Sequence, residues 1–166
     1  SWSAAVGANY YYVYRYSSKS GGYVKVAETA SRSYTFSSLK AGTTYSYRVY
    51  SAVVKDGKEI VKGDKSATYK FSTDPDKVKG LKSTSVTASK VALSWSSVKS
   101  ATFYEVLYYS KDLGSYVLAG TTEKTSFTVK KLSSSTEYKF KVRAVRTLNS
   151  KEYTGSYSSV LTVKTK

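Results

Sequence analysis

Leu132–Ala144 reads LSSSTEYKFKVRA, and Leu39–Ser51 reads LKAGTTYSYRVYS. Both end in alternation: Tyr138, Phe140, Val142 and Ala144 in one, Tyr45, Tyr47, Val49 and Ser51 in the other, each separated by a single residue. A period of two places those side chains on one face of a β-strand, with Lys139, Lys141 and Arg143 on the opposite face. The offset that carries Leu39 onto Leu132 also carries Trp2 onto Trp95, Ala8 onto Ala101, Tyr11 onto Tyr104, Val13 onto Val106 and Tyr16 onto Tyr109. One gap, before Gly63 and Gly155, extends the match to Phe71/Val163 and Thr73/Thr165. The chain is therefore two copies of one module.

More strands follow from the same alternation. In VALSWSSV, Val91, Leu93 and Trp95 point one way; in FYEVLYYS, Tyr104, Val106 and Tyr108 do. SYVLAGTT, TSFTVKKL and SSVLTVKT complete the second copy, divided by SKDLG, EK, SSST and RTLNSKEYTGS, and no window keeps helical spacing. About seven short strands in roughly 90 residues make a sandwich of two sheets.

The ordered set Trp95, Ala101, Tyr104, Val106, Leu132, Thr136, Tyr138, Phe140, Val142 and Ala144 resembles the fibronectin type III module, particularly its bacterial extracellular form. Copy one repeats it as Trp2, Ala8, Tyr11, Val13, Leu39, Thr43, Tyr45, Tyr47, Val49 and Ser51. The resemblance implies an all-β chain of two tandem fibronectin type III-like, that is immunoglobulin-like, β-sandwiches. It implies a core around Trp2, Tyr11, Val13, Leu39 and Tyr45, and around Trp95, Tyr104, Val106, Leu132 and Tyr138. Tyr45 and Tyr138 occupy the family's tyrosine-corner position, a structural role. The only proline, Pro75, marks the join. It lacks an amide donor and stops strands, so the expected division is 1–73, a linker at 74–77, and 78–166, with a short, semi-rigid tandem as the result.

Copy two has a leading segment, Val78–Leu93, for which copy one has no counterpart. The first sandwich is thus expected to lack strand A and most of strand B, leaving unpaired backbone and an open edge. Two explanations stand: the sequence is a piece of a longer protein, or a neighbouring chain donates the strand.

The composition closes off most catalysis. There is no Cys and no His, so disulfides, thiolate chemistry and the usual general base are all lacking. The 11 acidic residues are mostly isolated. Asp74-x-Asp76 offers two oxygens where calcium takes six to eight ligands, so neither a metal nor another cofactor is expected. Lys62-Gly63-Asp64 is placed in the loop before the last strand, where some fibronectin modules carry an integrin-binding tripeptide of similar form. No apolar run approaches about 18 residues and no signal peptide opens the sequence.

Binding is the class left open. With Tyr11 and Val13 inward, Tyr10, Tyr12, Tyr14 and Tyr16 form an outward row beside Arg48 and Tyr50, a surface for sugar faces or for another module. Cross-strand stability alone also accounts for such a row. The net charge of +16 is spread over 27 Lys and Arg. It reads either as a solvated surface that keeps strand edges apart or as a partner to extended negative charge. Diffuse charge without a recognition motif argues against nucleic acid. The expectation is a non-catalytic spacer or display module of a larger bacterial surface or secreted protein, extracellular or on the cell surface. Its partners would be flanking domains and an anionic cell-wall polymer. The alternatives are an adhesion module that binds a glycan or host protein through the tyrosine face, and a fibre subunit self-associating through the open edge of domain 1.

Overall fold

The computed structural model describes residues 1–166, all of them in strands, turns and extended segments. The chain divides into two compact units: Ser1–Leu39 with Thr44–Ser72, and Thr73–Lys166 with Lys40–Thr43.

The second unit is a two-layer sandwich. Its smaller sheet contains β6 (Lys82–Val86), β7 (Lys90–Ser94) and β10 (Ser126–Lys130), in the order β10-β7-β6. The larger sheet contains β8 (Phe103–Ser110), β9 (Ser115–Thr122), β11 (Glu137–Leu148), β12 (Lys151–Thr154) and β13 (Leu161–Lys164). β11 is long enough to pair with both short strands, Glu137–Phe140 with β13 and Val145–Leu148 with β12. Between the sheets lie Val91, Leu93, Trp95, Tyr104, Val106, Leu132, Phe140 and Val142, all buried. The period-two positions meet because each strand is amphipathic and only the sandwich interior removes both apolar faces from water.

Two tyrosine hydroxyls fasten loops to this core. Tyr138 is half-buried and its hydroxyl accepts the Ser133 amide at 2.9 Å, the tyrosine corner. Tyr104 is buried and accepts the Val98 amide at 2.9 Å while its ring meets Trp95 edge-on.

The first unit repeats the larger sheet alone. β1 (Tyr10–Ser17), β2 (Gly22–Thr29), β3 (Thr44–Lys55) and β4 (Lys58–Lys65) run in the order β2-β1-β3-β4, and β5 (Tyr69–Ser72) pairs with the start of β3, Thr44 to Tyr47. The Trp–Tyr pair recurs, with Trp2 and Tyr11 centroids 5.5 Å apart and the Ala5 amide 3.3 Å from the Tyr11 hydroxyl. No second sheet faces it.

Several expectations need correction. The loss goes beyond strands A and B, because Ser33–Ser37, which corresponds to β10, forms no strand. In the second unit β10 pairs with β7, and a strand without a partner has no ladder to join. Trp2 and Leu39 are therefore half-buried where Trp95 and Leu132 are buried; Tyr45 is half-buried as Tyr138 is, and Tyr11 and Val13 are buried. RTLNSKEYTGS is not all loop: β11 runs to Leu148, turns through Asn149 and Ser150 at positive φ, and returns as β12. Asp56-Gly57 makes the same turn between β3 and β4, the geometry that two-residue hairpins favour. Lys62-Gly63-Asp64 consequently lies within β4 and not in a loop.

Candidate functional site

Two surfaces of the first unit could meet a partner: the outer face of its sheet, and the inner face that lacks a second layer.

On the outer face, register brings the tyrosines together. Tyr12 pairs with Tyr50 and Tyr14 with Arg48 across β1 and β3, while Tyr16 pairs with Tyr23 across β1 and β2. Tyr10 meets Tyr12 edge-on at 6.0 Å and Tyr14 meets Tyr50 at 4.9 Å. The rings are not a free platform. The Lys62 ammonium stands over Tyr50 at 4.6 Å and Tyr14 at 5.3 Å, and donates to the Tyr14 hydroxyl at 3.3 Å. Lys25 lies over Tyr12 at 5.1 Å and is itself paired with Glu28 at 2.9 Å. Arg48 covers Tyr23 at 4.0 Å and donates from Nε to Thr68.

Tyr12 therefore departs from the exposed row expected of it: it is on the outer face but only 8 % exposed. Its hydroxyl donates to Glu59, and this bond, more than burial, pushes its pKa above the ordinary tyrosine value. Tyr16 is exposed, and Tyr10, Tyr14, Arg48 and Tyr50 are half-buried. Tyr23, Lys25, Glu59 and Lys62 also belong to this surface; of these the sequence singles out Lys62 alone, and as part of a loop tripeptide. Tyr23 had a signal, its exact repeat as Tyr116. Nothing in the sequence places Lys62 on a strand, because KEIVKGDK has little apolar alternation.

The second unit carries an equivalent of part of this arrangement. Tyr109 meets Tyr116 at 5.4 Å as Tyr16 meets Tyr23 at 5.6 Å, and Lys141 covers Tyr116 at 3.9 Å as Arg48 covers Tyr23. Lys141 is also 4.0 Å from Tyr157. Arg143 is paired with Glu105, whose carboxylate raises the guanidinium pKa. What is duplicated is thus a cation held over a cross-strand tyrosine pair. Such contacts stabilise by roughly 0.5–1 kcal/mol at exposed sites.

A family model for the fibronectin type III domain matches residues 76–163, just over half of the chain. The chain belongs to the fibronectin type III family. A two-domain fibronectin type III segment from chicken tenascin is similar in fold across both units, with 21 % identity, a TM-score of 0.59, and coverage of 98 % of this chain and 87 % of that one. A fibronectin type III domain of human fibronectin type III domain containing protein 3 is 24 % identical, covering 57 % of this chain and 89 % of its own, with a TM-score of 0.49. The structure described as FN3tt is 32 % identical over 52 % of this chain and 96 % of its own, with a TM-score of 0.42. Comparison with the curated proteins finds no match.

The inner face of the first unit is a depression of about 630 Å³, lined by Trp2, Val13, Tyr34, Phe36, Tyr47 and Phe71 among others. Tyr47 and Phe71 stack at 5.6 Å with their planes 8° apart, and Phe36 lies 4.0 Å from Tyr47. Burial pushes the Tyr47 hydroxyl above its ordinary pKa, and Arg15 beside it works in the opposite direction. Tyr69 at the rim is 68 % exposed.

No three acidic side chains converge where a metal could sit, Asp74 and Asp76 included. No helix is long and apolar enough to cross a membrane.

Proposed function

We propose that this chain is a non-catalytic module of a larger extracellular protein, of bacterial surface or secreted type, that spaces or displays its flanking domains while its lysines meet an anionic cell-wall polymer. Fibronectin type III domains are generally structural or binding modules, and the duplicated use of the outer face supports the structural role. There the rings and cations are engaged with one another, Lys62 over Tyr14 and Tyr50 and Lys141 over Tyr116 and Tyr157. A sugar ring stacking on those tyrosines would first have to displace an ammonium group. This weighs against adhesion to a glycan or host protein through the tyrosine face. The excess of 27 basic over 11 acidic residues supports a polyanionic partner. Attraction of that kind is about 1 kcal/mol per Lys or Arg close to a negative surface and is screened within roughly 10 Å at 0.1 M salt.

The test is fluorescence anisotropy with labelled polyglycerol phosphate across a salt series. Binding should fall steeply with added salt and be unchanged in Tyr14→Ser. Binding to glycans that ignores salt and disappears in a folded Tyr14→Ser protein would support adhesion instead.

A further inference from the structure

The two units differ along one edge, and the internal repeat shows how. β9 ends the larger sheet of the second unit, with β8 as its strand partner. β2 holds the same place in the first unit, beside β1. Both strands have eight residues, and in both the register shifts at the same point, after Val106 and after Val13. Charge separates them. The repeat offset carries Lys25 and Glu28 of β2 onto Leu118 and Thr121 of β9, so β9 reads SYVLAGTT with no charged side chain. Lysines commonly keep a strand edge from pairing with another chain. Here the lysine is replaced by a leucine that is 57 % exposed.

The charge missing from this edge stands across a groove from it. Residues of β9 and β10 border a depression of about 600 Å³, lined by Tyr108, Leu118, Phe127 and Tyr138 and by the exposed Lys130 and Lys131. The same offset puts Ser37 and Ser38 at the positions of these lysines. Ser38 even shares the left-handed backbone of Lys131, with φ of 56° against 60°, so the local turn does not need lysine. Lys130 lies directly opposite Lys90 across β10 and β7, and like charges so placed are destabilising. No acidic side chain lines the groove, and none of the three lysines has an ion-pair partner.

We propose that this edge of the second unit binds an extended acidic segment of another protein by strand addition. The segment's backbone pairs with β9, its apolar side chains enter the groove at every second position, and its carboxylates meet Lys130 and Lys131. Main-chain bonds supply affinity in this mode and the alternate side chains supply specificity. The uncharged edge selects a strand, and the unpaired lysines select its sign. A second copy would bring lysines of its own to this place, and a small anion would use the lysines without the edge. The proposal is independent of the cell-wall polymer, whose attraction to lysines needs no strand edge.

The test titrates a labelled peptide of alternating valine and threonine, ending in two glutamates, into the full chain by fluorescence anisotropy. Two further versions are N-methylated at alternate residues, one along each edge of the extended peptide. The parent peptide should bind below about 1 mM. Methylation of one edge should be tolerated and that of the other should abolish binding, because an added strand turns only every second amide toward its partner. Hydrogen exchange should slow at Ser115–Leu118 and stay unchanged on β2. Lys130→Ser with Lys131→Ser, the residues that the first unit carries there, should weaken binding about tenfold. Equal binding by all three peptides would overturn the proposal, since charge alone would then hold them. So would no binding at about 1 mM, or protection of Ser115–Leu118 in the free chain that falls on dilution, which would make a second copy the occupant. Salt-sensitive binding of polyglycerol phosphate stands or falls apart from each of these results.

Discussion

Val142 and Val49 occupy equivalent positions on β11 and β3, and truncating each to alanine measures how far the two interiors differ. Val142 is fully buried between two sheets. Val142→Ala removes the equivalent of two methylenes, about 1.6 kcal/mol at roughly 0.8 each. It also leaves a void of about 40 Å³, which adds about 1 kcal/mol at roughly 24 cal/mol per Å³. The expected loss is therefore about 2–3 kcal/mol, or about 10–20 °C in Tm for a domain of this size. Val49 is half-buried and lines the open depression. Its truncation loses about half the transfer energy and encloses no void, so the cost should stay below about 1 kcal/mol. Hydrogen exchange within Glu137–Leu148 and Thr44–Lys55 reads the two units separately. Equal losses in the two would refute the conclusion that the first unit has an open inner face.

Tyr104→Phe strands the Val98 amide inside the core and should cost about 1–2 kcal/mol by chemical denaturation. Tyr11→Phe, whose bond to Ala5 is longer and less buried, should cost less. Gly120→Ala would bring a methyl carbon to 2.5 Å from the Phe127 ring, so a loss of about 1–3 kcal/mol is expected in the thermal melt of the second unit. Lys141→Ala loses its contacts with Tyr116 and Tyr157 and should lower stability by about 0.5–1 kcal/mol without altering the circular dichroism spectrum. Alkaline titration should show the effect of Tyr47. Its pKa in the folded chain lies above the ordinary 10.0, so the neutral ring's contribution is complete below pH 10 and is lost as pH rises through the folded value. Tyr47→Phe should flatten that part of the stability curve.

The architecture was legible because it depends on a local pattern read twice. Apolar residues at every second position, recurring at one offset, specify strands, and the resemblance to the fibronectin type III module implied the tyrosine corner at Tyr138, whereas the Trp–Tyr ring contacts came from the structure. The missing segment could be read as well, as an interval in copy one with no counterpart to Val78–Leu93, but it implied only an open edge and not the loss of the strand at Ser33–Ser37. β4 and β12 escaped notice because KEIVKGDK and KEYT are edge strands with little apolar alternation. They owe their place to the turns at Asp56-Gly57 and Asn149-Ser150.

What the sequence by itself determined is the set of inward faces, since hydrophobic burial acts on a strand's own period. Only the tertiary structure decided that Ser33–Ser37 is not a strand and that Tyr12 is covered. Both depend on neighbours brought near by folding: a ladder partner in the first case, Lys25, Glu59 and Lys62 from two other strands in the second. Backbone hydrogen bonds and cation–π contacts need a partner in space, and the partner's distance along the chain carries no trace of whether it will arrive.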